Sequence, residues 1–141
     1  MLPLRLVIDT NILISGLLKP EGLEHAILFF SLTPPATWFI SSQVLDEYQE
    51  VSSRSELRIK PKRRRELFAL IHSRTITIEP DIKINFLIDP KDDKFLECAE
   101  AARADYLISG NLKHFPKFWK TTKIISAREF IEGVVLHLDT K

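Results

Sequence analysis

The chain has 141 residues, of which 45% are hydrophobic and 28% charged, and its formal net charge is +1. This length suits one domain, so we expect a single domain over residues 1–141. The absence of an apolar run of about 18 residues excludes a membrane span, a start interrupted by Arg5 and Asp9 excludes a signal peptide, and the single cysteine, Cys98, excludes an internal disulfide. We therefore expect a cytoplasmic protein.

Short strands and helices alternate along the chain. The branched apolar run Leu4 to Ile8 predicts a buried strand, and apolar residues recurring at three and four positions predict amphipathic helices. We predict strands over residues 4–8, 37–40, 75–78, 106–108 and 123–125. We predict helices over residues 12–18, 23–32, 42–52, 62–72, 90–104 and 127–133, and a loop over residues 79–90. Asp89 is expected to cap the fifth helix, and Ser126 with Glu129 predicts a capping box for the last.

This alternation predicts an α/β fold, a three-layer α/β/α sandwich with a central parallel sheet. In an open sheet of this kind, functional residues gather at the carboxyl ends of the strands. The side chains that follow each strand are therefore the candidates for a site.

Acidic and amide side chains occupy these strand ends. Asp9 follows the first strand, and Glu47 lies about one turn into the helix after the second. Asp92 and Asp93 open the helix before the fourth strand, which Asn111 follows. Each position is also typical of a helix cap, a solvated helix face or a turn. Their joint placement predicts one cluster, because a parallel sheet brings these ends together.

Several carboxylates within a few ångströms repel one another, and a divalent cation removes that conflict. Ligand oxygens favour Mg²⁺ or Mn²⁺ over zinc. Asp92 and Asp93 cannot both face the site, since adjacent helical residues point about 100° apart. Because Phe95 and Leu96 mark the core face of this helix, Asp93 is the predicted ligand. Asp92 is expected to be a cap or a group outside the ligand set.

Basic residues crowd one short stretch, where they could contact phosphates or form a solvated helix face. They are Arg54, Arg58, Lys60, Lys62, Arg63, Arg64 and Arg65.

The segments VIDTNILISGL, SSQVLDEYQEV, DPKDDKFLECAEAARADYLISGN and KHFP, in this order, resemble the PIN-domain family. They are most similar to the VapC-like group of stand-alone PIN proteins, which are counted among the toxins of toxin–antitoxin pairs. The resemblance extends from Leu4 to about Gly133. It implies cleavage of single-stranded RNA by a site in which three or four acids bind Mg²⁺ or Mn²⁺.

Carried over by motif, the first three acids of the family are Asp9, Glu47 and Asp93. The fourth acid is replaced by Asn111, which follows Ser109 and Gly110. This neutral amide is expected to weaken metal binding, so one ion is a better expectation than two.

The resemblance also implies supporting residues and partners. Ser109 and Asn11 are expected to orient carboxylates or water by hydrogen bonding. An antitoxin protein and a second copy of the chain are the implied protein partners. The RNA backbone is expected to contact the basic side chains Arg54, Arg58, Lys62, Arg63, Arg64, Arg65, Lys113 and His114. His114 is also a candidate general acid.

Two other functions remain open. The chain could be a PIN scaffold that binds RNA or protein, with Asn111 marking a decayed site. It could also be an aspartyl-phosphate phosphatase with Asp9 as its nucleophile, although the second acid of that motif falls at Asn11.

Overall fold

The structure, a computed structural model, describes residues 3–86 and 89–137. In these residues one six-stranded sheet has the order β3-β2-β1-β4-β6-β5. The strands are β1 (Leu4–Ile8), β2 (Ala36–Ile40), β3 (Ile76–Thr77), β4 (Tyr106–Ile108), β5 (Phe118–Trp119) and β6 (Thr122–Ile125). The helices are α1 (Thr10–Leu18), α2 (Leu23–Ser31), α3 (Ser42–Ser52), α4 (Pro61–Arg74), α5 (Asp93–Ala102) and α6 (Ala127–Gly133).

All strands run parallel except β5, which pairs antiparallel with β6 at one edge of the sheet. The central strand is β1, where Leu6 lies opposite Trp38 of β2 and Tyr106 of β4. The predicted α/β fold with its mostly parallel sheet is confirmed. The antiparallel β5 was not predicted, because two residues are too few to show an alternating pattern.

Helices cover both faces of this sheet. In β1, Leu6, Val7 and Ile8 are all fully buried, although successive side chains of a strand point to opposite faces. Helix α5 packs on β1, β2 and β4, while α2 packs on β2 and contacts α6. The central strand β1 is therefore covered on both sides, and Asp9 follows at its carboxyl end.

The entry into α5 differs from the prediction. Asp89 does cap the segment, since its Oδ1 accepts a hydrogen bond from the Lys91 amide at 3.0 Å. However, Pro90–Asp92 forms a 3₁₀ turn, and the α-helix begins only at Asp93. It ends at Ala102, before the predicted end at residue 104, because Arg103 adopts a left-handed conformation with φ of 49°.

The predicted capping box of α6 is confirmed, since Ser126 and Glu129 form it. Ser41 caps α3 by accepting a hydrogen bond from the Val44 amide. In the predicted loop 79–90, the Ile84 amide donates to Glu97 at 2.9 Å, and residues 87 and 88 lie outside the described residues. The tail contains a 3₁₀ turn at Val135–His137, and residues 138–141 are not described.

No helix in the described part of the chain is long and apolar enough to cross a membrane.

Cys98 is fully buried beside the Phe39 carbonyl, and burial raises the pKa of its thiol to about 12. It is therefore an unreactive core residue.

Tyr48 joins α3 to the end of β1. Its buried hydroxyl donates a hydrogen bond to the carbonyl oxygen of Ile8, the residue before Asp9. The phenol ring packs edge-on against Trp38, with ring centroids 6.0 Å apart. Burial raises the pKa of Tyr48 well above its usual range, so the hydroxyl keeps the proton that it donates.

We expect Tyr48→Phe to lower the free energy of unfolding by about 1–3 kcal/mol, because it leaves the buried Ile8 carbonyl without this donor. Urea denaturation measures the change. Tyr106→Phe is the control, since no hydrogen bond of the Tyr106 hydroxyl lies within the described residues and its ring also packs edge-on, against Phe130. Equal stability losses in the two variants would contradict the prediction.

Candidate metal centre

Asp9 stands where β1 ends and α1 begins. Its amide donates to the Ile108 carbonyl at 2.9 Å, which ties it to the end of β4. Although Asp9 is the N-cap residue of α1, its side chain makes no capping hydrogen bond. Instead Oδ2 accepts a hydrogen bond from the Ser109 hydroxyl at 2.7 Å. The carboxylate is thus directed toward Ser109, just after β4, and is not used to cap the helix.

The Asp9 carboxyl is buried among other negative charges. It is 4% exposed, and burial raises its pKa to about 6, with the charges of Asp92 and Glu47 adding to the rise and the Ser109 hydrogen bond opposing it. Three acids from three elements therefore act on one another electrostatically. For Asp9 and Glu47, this agrees with the cluster predicted from their positions after the first two strands.

Glu47 is held by two side chains that the sequence did not single out. The Thr10 hydroxyl donates to its Oε2 at 2.5 Å, and the Lys94 ammonium contacts its Oε1 at 2.5 Å. The Glu47 side chain is only 19% exposed, so it is not a solvated helix position. Only adjacency to Asp9 and Asp93 could have drawn attention to Thr10 and Lys94.

Asp92 is the N-cap residue of α5, yet its side chain makes no capping hydrogen bond. Its Oδ2 lies 3.1 Å from Nδ1 of His114. Burial raises the pKa of Asp92, the contact with His114 opposes that rise, and the charges of Asp89 and Glu47 add to it. Asp92 thus occupies the predicted cap position without capping the helix through its side chain, and its expected place outside the ligand set stays a prediction.

Asp93 is the first residue of α5 and is 5% exposed. Its burial agrees with a side chain directed inward. Its assignment as a metal ligand stays a prediction.

Asn111 supports Asp9 through its main chain. The Asn111 amide donates to the Ser109 hydroxyl oxygen at 2.9 Å, and that hydroxyl donates to Asp9. Ser109 is fully buried, so the relay is fixed. Asn11 is exposed beside Gly110, and no hydrogen bond from it to Asp9 occurs among the described residues.

The donors suit a hard divalent cation in chemistry, since carboxylate and amide oxygens are the ligands of Mg²⁺ and Mn²⁺. As the side chains are placed, no three acidic, histidine or cysteine residues within 3–86 and 89–137 are arranged to hold one metal ion. Glu47 contacts Lys94 and Asp92 contacts His114. Direct ligation by these two acids requires those contacts to be exchanged.

The predicted basic stretch divides into inward and outward residues. Arg64 donates to the Ser52 hydroxyl at 2.8 Å and to the Gln49 carbonyl at 3.0 Å, which ties α4 to α3. Arg54 pairs with Glu50 at 2.7 Å on the surface. Exposed positions free of such pairs among the described residues are Arg58, Lys60, Lys62 and Arg65.

An open groove lies beside Ser109, the residue that donates to Asp9. Ser109 and Asn111 line it together with Lys113 and Arg128. Lys113 and His114 belong to the 3₁₀ turn Leu112–His114, directly after Asn111. These two predicted RNA contacts therefore lie close in the chain to Asn111, and His114 also contacts Asp92.

In the presence of a chelator, we expect Asp9→Asn to stabilise the protein at about pH 7.5 by about 1–3 kcal/mol. A raised carboxyl pKa means that the folded state holds the proton more tightly, so the wild-type protein loses stability as pH rises through about 6. Asparagine lacks this loss. The advantage of the variant should shrink toward about pH 4.

Urea denaturation across this pH range measures the difference. Asp46→Asn, an exposed substitution on α3, is the control for a general charge effect. A destabilised Asp9→Asn protein at high pH would show that the carboxylate is not under electrostatic strain.

Comparison with known proteins agrees with this architecture. An uncharacterised protein of Methanocaldococcus jannaschii is 27% identical, over 92% of this chain and 90% of that protein. The solved structure of VapBC2 from Rickettsia felis, bound to a DNA fragment from the VapBC2 promoter, shares the fold with a TM-score of 0.62. The two chains are 22% identical, and the match covers 87% of this chain and 98% of that chain. A family model described as PIN domain matches residues 5–113. That match spans well over half of the chain, which therefore belongs to the PIN-domain family.

Proposed function

We propose that this chain is a metal-dependent endoribonuclease that hydrolyses phosphodiester bonds in single-stranded RNA. The observation that carries the proposal is the buried Asp9 carboxylate, which does not cap its helix and lies under the charges of Asp92 and Glu47. A carboxyl whose pKa is raised by burial and by neighbouring charges is typical of functional sites. Membership of the PIN-domain family favours a nuclease over the aspartyl-phosphate phosphatase.

The metal would be Mg²⁺ or Mn²⁺, held by Asp9 and Glu47 with an acid from the start of α5. Asp92 is our first choice for that acid because its charge acts on both neighbours, and Asp93 is the second. When bound, the cation supplies Lewis acidity toward the scissile phosphate and the attacking water.

The protein side chains position these oxygens. Ser109 fixes the orientation of Asp9 by its hydrogen bond, and Thr10 does the same for Glu47. Partners of this kind around metal ligands typically affect affinity or activity about 10–100-fold when removed. Asn111 would offer a neutral carbonyl oxygen in place of a fourth acid, which favours one tightly held ion.

The RNA strand would follow the groove beside Asn111. Lys113 and Arg128 line this groove, and their charges suit backbone phosphates without selecting a base. His114 would reach the same strand from the adjoining turn. The exposed residues Lys62 and Arg65 of α4 are further candidates for the same role.

The protein partners would be those of a toxin. The VapBC2 structure is a complex of a toxin–antitoxin pair, and this supports an antitoxin partner for the chain under the proposed function. A homodimer is also proposed. Light scattering of the purified chain tests the dimer, and a monomer at micromolar concentration would contradict it.

A scaffold without catalysis is the second candidate. Asn111 favours it, because a neutral residue stands where the family usually has an acid. Calorimetry with Mn²⁺ separates the two functions, since absence of binding at millimolar concentration would favour the scaffold.

We expect the wild-type protein with Mn²⁺ to cleave an unstructured RNA, and Asp9→Asn and Glu47→Gln each to reduce the rate by more than about 100-fold. Both changes remove a charged ligand oxygen and keep the side-chain shape. Gel analysis of an end-labelled oligonucleotide measures the rate, with a DNA of the same sequence for comparison. Asp46→Asn is the matched control on α3. Full activity in both site variants would refute the proposed centre.

We expect Asp92→Asn to weaken Mn²⁺ binding by about tenfold or more, since it removes a charge that acts on both Asp9 and Glu47. Calorimetry of Asp92→Asn and Asp93→Asn compares the two residues directly. Loss of binding in Asp93→Asn alone would restore the assignment predicted from the sequence and contradict ours.

A further inference from the structure

Lys94 lies inside the candidate centre. Its ammonium contacts Oε1 of Glu47 at 2.5 Å, and the two side chains are 18% and 19% exposed. The pair joins the first turn of α5 to the middle of α3. Water screens it less than it screens the surface pairs Arg54–Glu50 and Arg128–Glu132, whose side chains are at least half exposed.

Both oxygens of Glu47 are engaged, by two chemically different donors. Thr10 gives a neutral hydroxyl to Oε2, whereas Lys94 gives a positive charge to Oε1. A divalent cation that binds Oε1 brings a second positive charge to the oxygen that the ammonium contacts, and the two charges repel each other, while the neutral Thr10 hydrogen bond can persist. Lys94 and the cation therefore compete for the negative charge of Glu47.

We propose that Lys94 is an exchangeable counter-ion of the acid cluster, which a divalent cation displaces from Glu47. This inference rests on the proposed metal centre. Lysine suits the role, because its charge is a single point on a flexible four-carbon chain that can swing away. Lys94 thereby sets how tightly the centre binds metal, in addition to the number of acids in it.

The competing explanation is a purely structural tie between α3 and α5. The two explanations predict opposite signs. If Lys94 competes with the metal, removing its charge leaves the acids more negative and raises metal affinity. If Lys94 only holds the two helices in place, its removal loosens Glu47 and lowers metal affinity.

Calorimetric titration of the purified chain with Mn²⁺, without RNA, tests the sign. We expect Lys94→Met and Lys94→Gln to bind Mn²⁺ roughly three- to tenfold more tightly than wild type, the range expected for a partly buried ion pair. Lys94→Arg keeps the charge and should bind no more tightly than wild type. Lys91→Met, an exposed substitution in the preceding turn, should match wild type.

Thermal unfolding gives an independent readout. Lys94→Met should unfold at a lower temperature than wild type in chelator, because the acids lose a counter-charge. Saturating Mn²⁺ should raise its midpoint by more than it raises that of wild type, since tighter binding stabilises the folded state further.

The outcomes separate this inference from the proposed function. Wild-type binding of Mn²⁺ with equal or weaker binding by both neutral variants would overturn the role of Lys94 and leave the metal centre standing. Absence of Mn²⁺ binding in wild type and all variants would overturn both. Tighter binding by Lys91→Met to the same extent would also overturn the inference, because the effect would then be general.

Discussion

Burial of the Asp9 carboxyl beside two other negative charges is the constraint on which this site depends. Asp9 lies almost fully out of water with the charges of Glu47 and Asp92 acting on it, so its pKa rises to about 6. Each of the three acids is held by a different partner. Asp9 accepts from a serine hydroxyl, Glu47 meets the Lys94 ammonium, and Asp92 contacts an imidazole. These polar contacts stabilise the charged form of carboxylates that lie near one another. In a purely apolar environment, burial would instead favour the protonated carboxyl groups.

The geometry of the cluster depends on hydrogen bonds between α3 and the end of β1. Tyr48 donates to the carbonyl of Ile8, and Glu47 accepts from the hydroxyl of Thr10. These contacts lie on either side of Asp9 in the chain, and they come from consecutive residues of one helix. The distance between the first two acids is therefore fixed by hydrogen bonds on both sides of Asp9. A buried and neutral phenol provides one of them, and a hydroxyl that is 4% exposed provides the other.

Much of this arrangement could be predicted from the sequence. The apolar strands and helical spacing gave the fold and the strand-end positions of Asp9 and Glu47. Three features could not be obtained in this way. The position of Asp92 beside the charges of Asp9 and Glu47 depends on a 3₁₀ turn at Pro90–Asp92, and the periodicity of an α-helix cannot reveal that turn. The partners of the acids depend on side-chain reach across elements far apart in the chain. The inward role of Arg64 has the same cause, since nothing in a basic run distinguishes a buried hydrogen-bonding arginine from its exposed neighbours.

Asn111 is the departure from the family pattern that the structure explains best. Its main-chain amide, and not its side chain, supports the Ser109 hydroxyl that orients Asp9. Any residue with an amide hydrogen can make this contact, so replacing an acid here leaves the relay intact. An acid at position 111 would add a further negative charge beside a carboxyl whose pKa is already raised by burial and by two neighbours. Asparagine avoids that repulsion and keeps a carbonyl oxygen, a possible metal ligand, in a residue that lines the groove. The substitution therefore changes the charge of the centre while preserving the hydrogen bonds that build it.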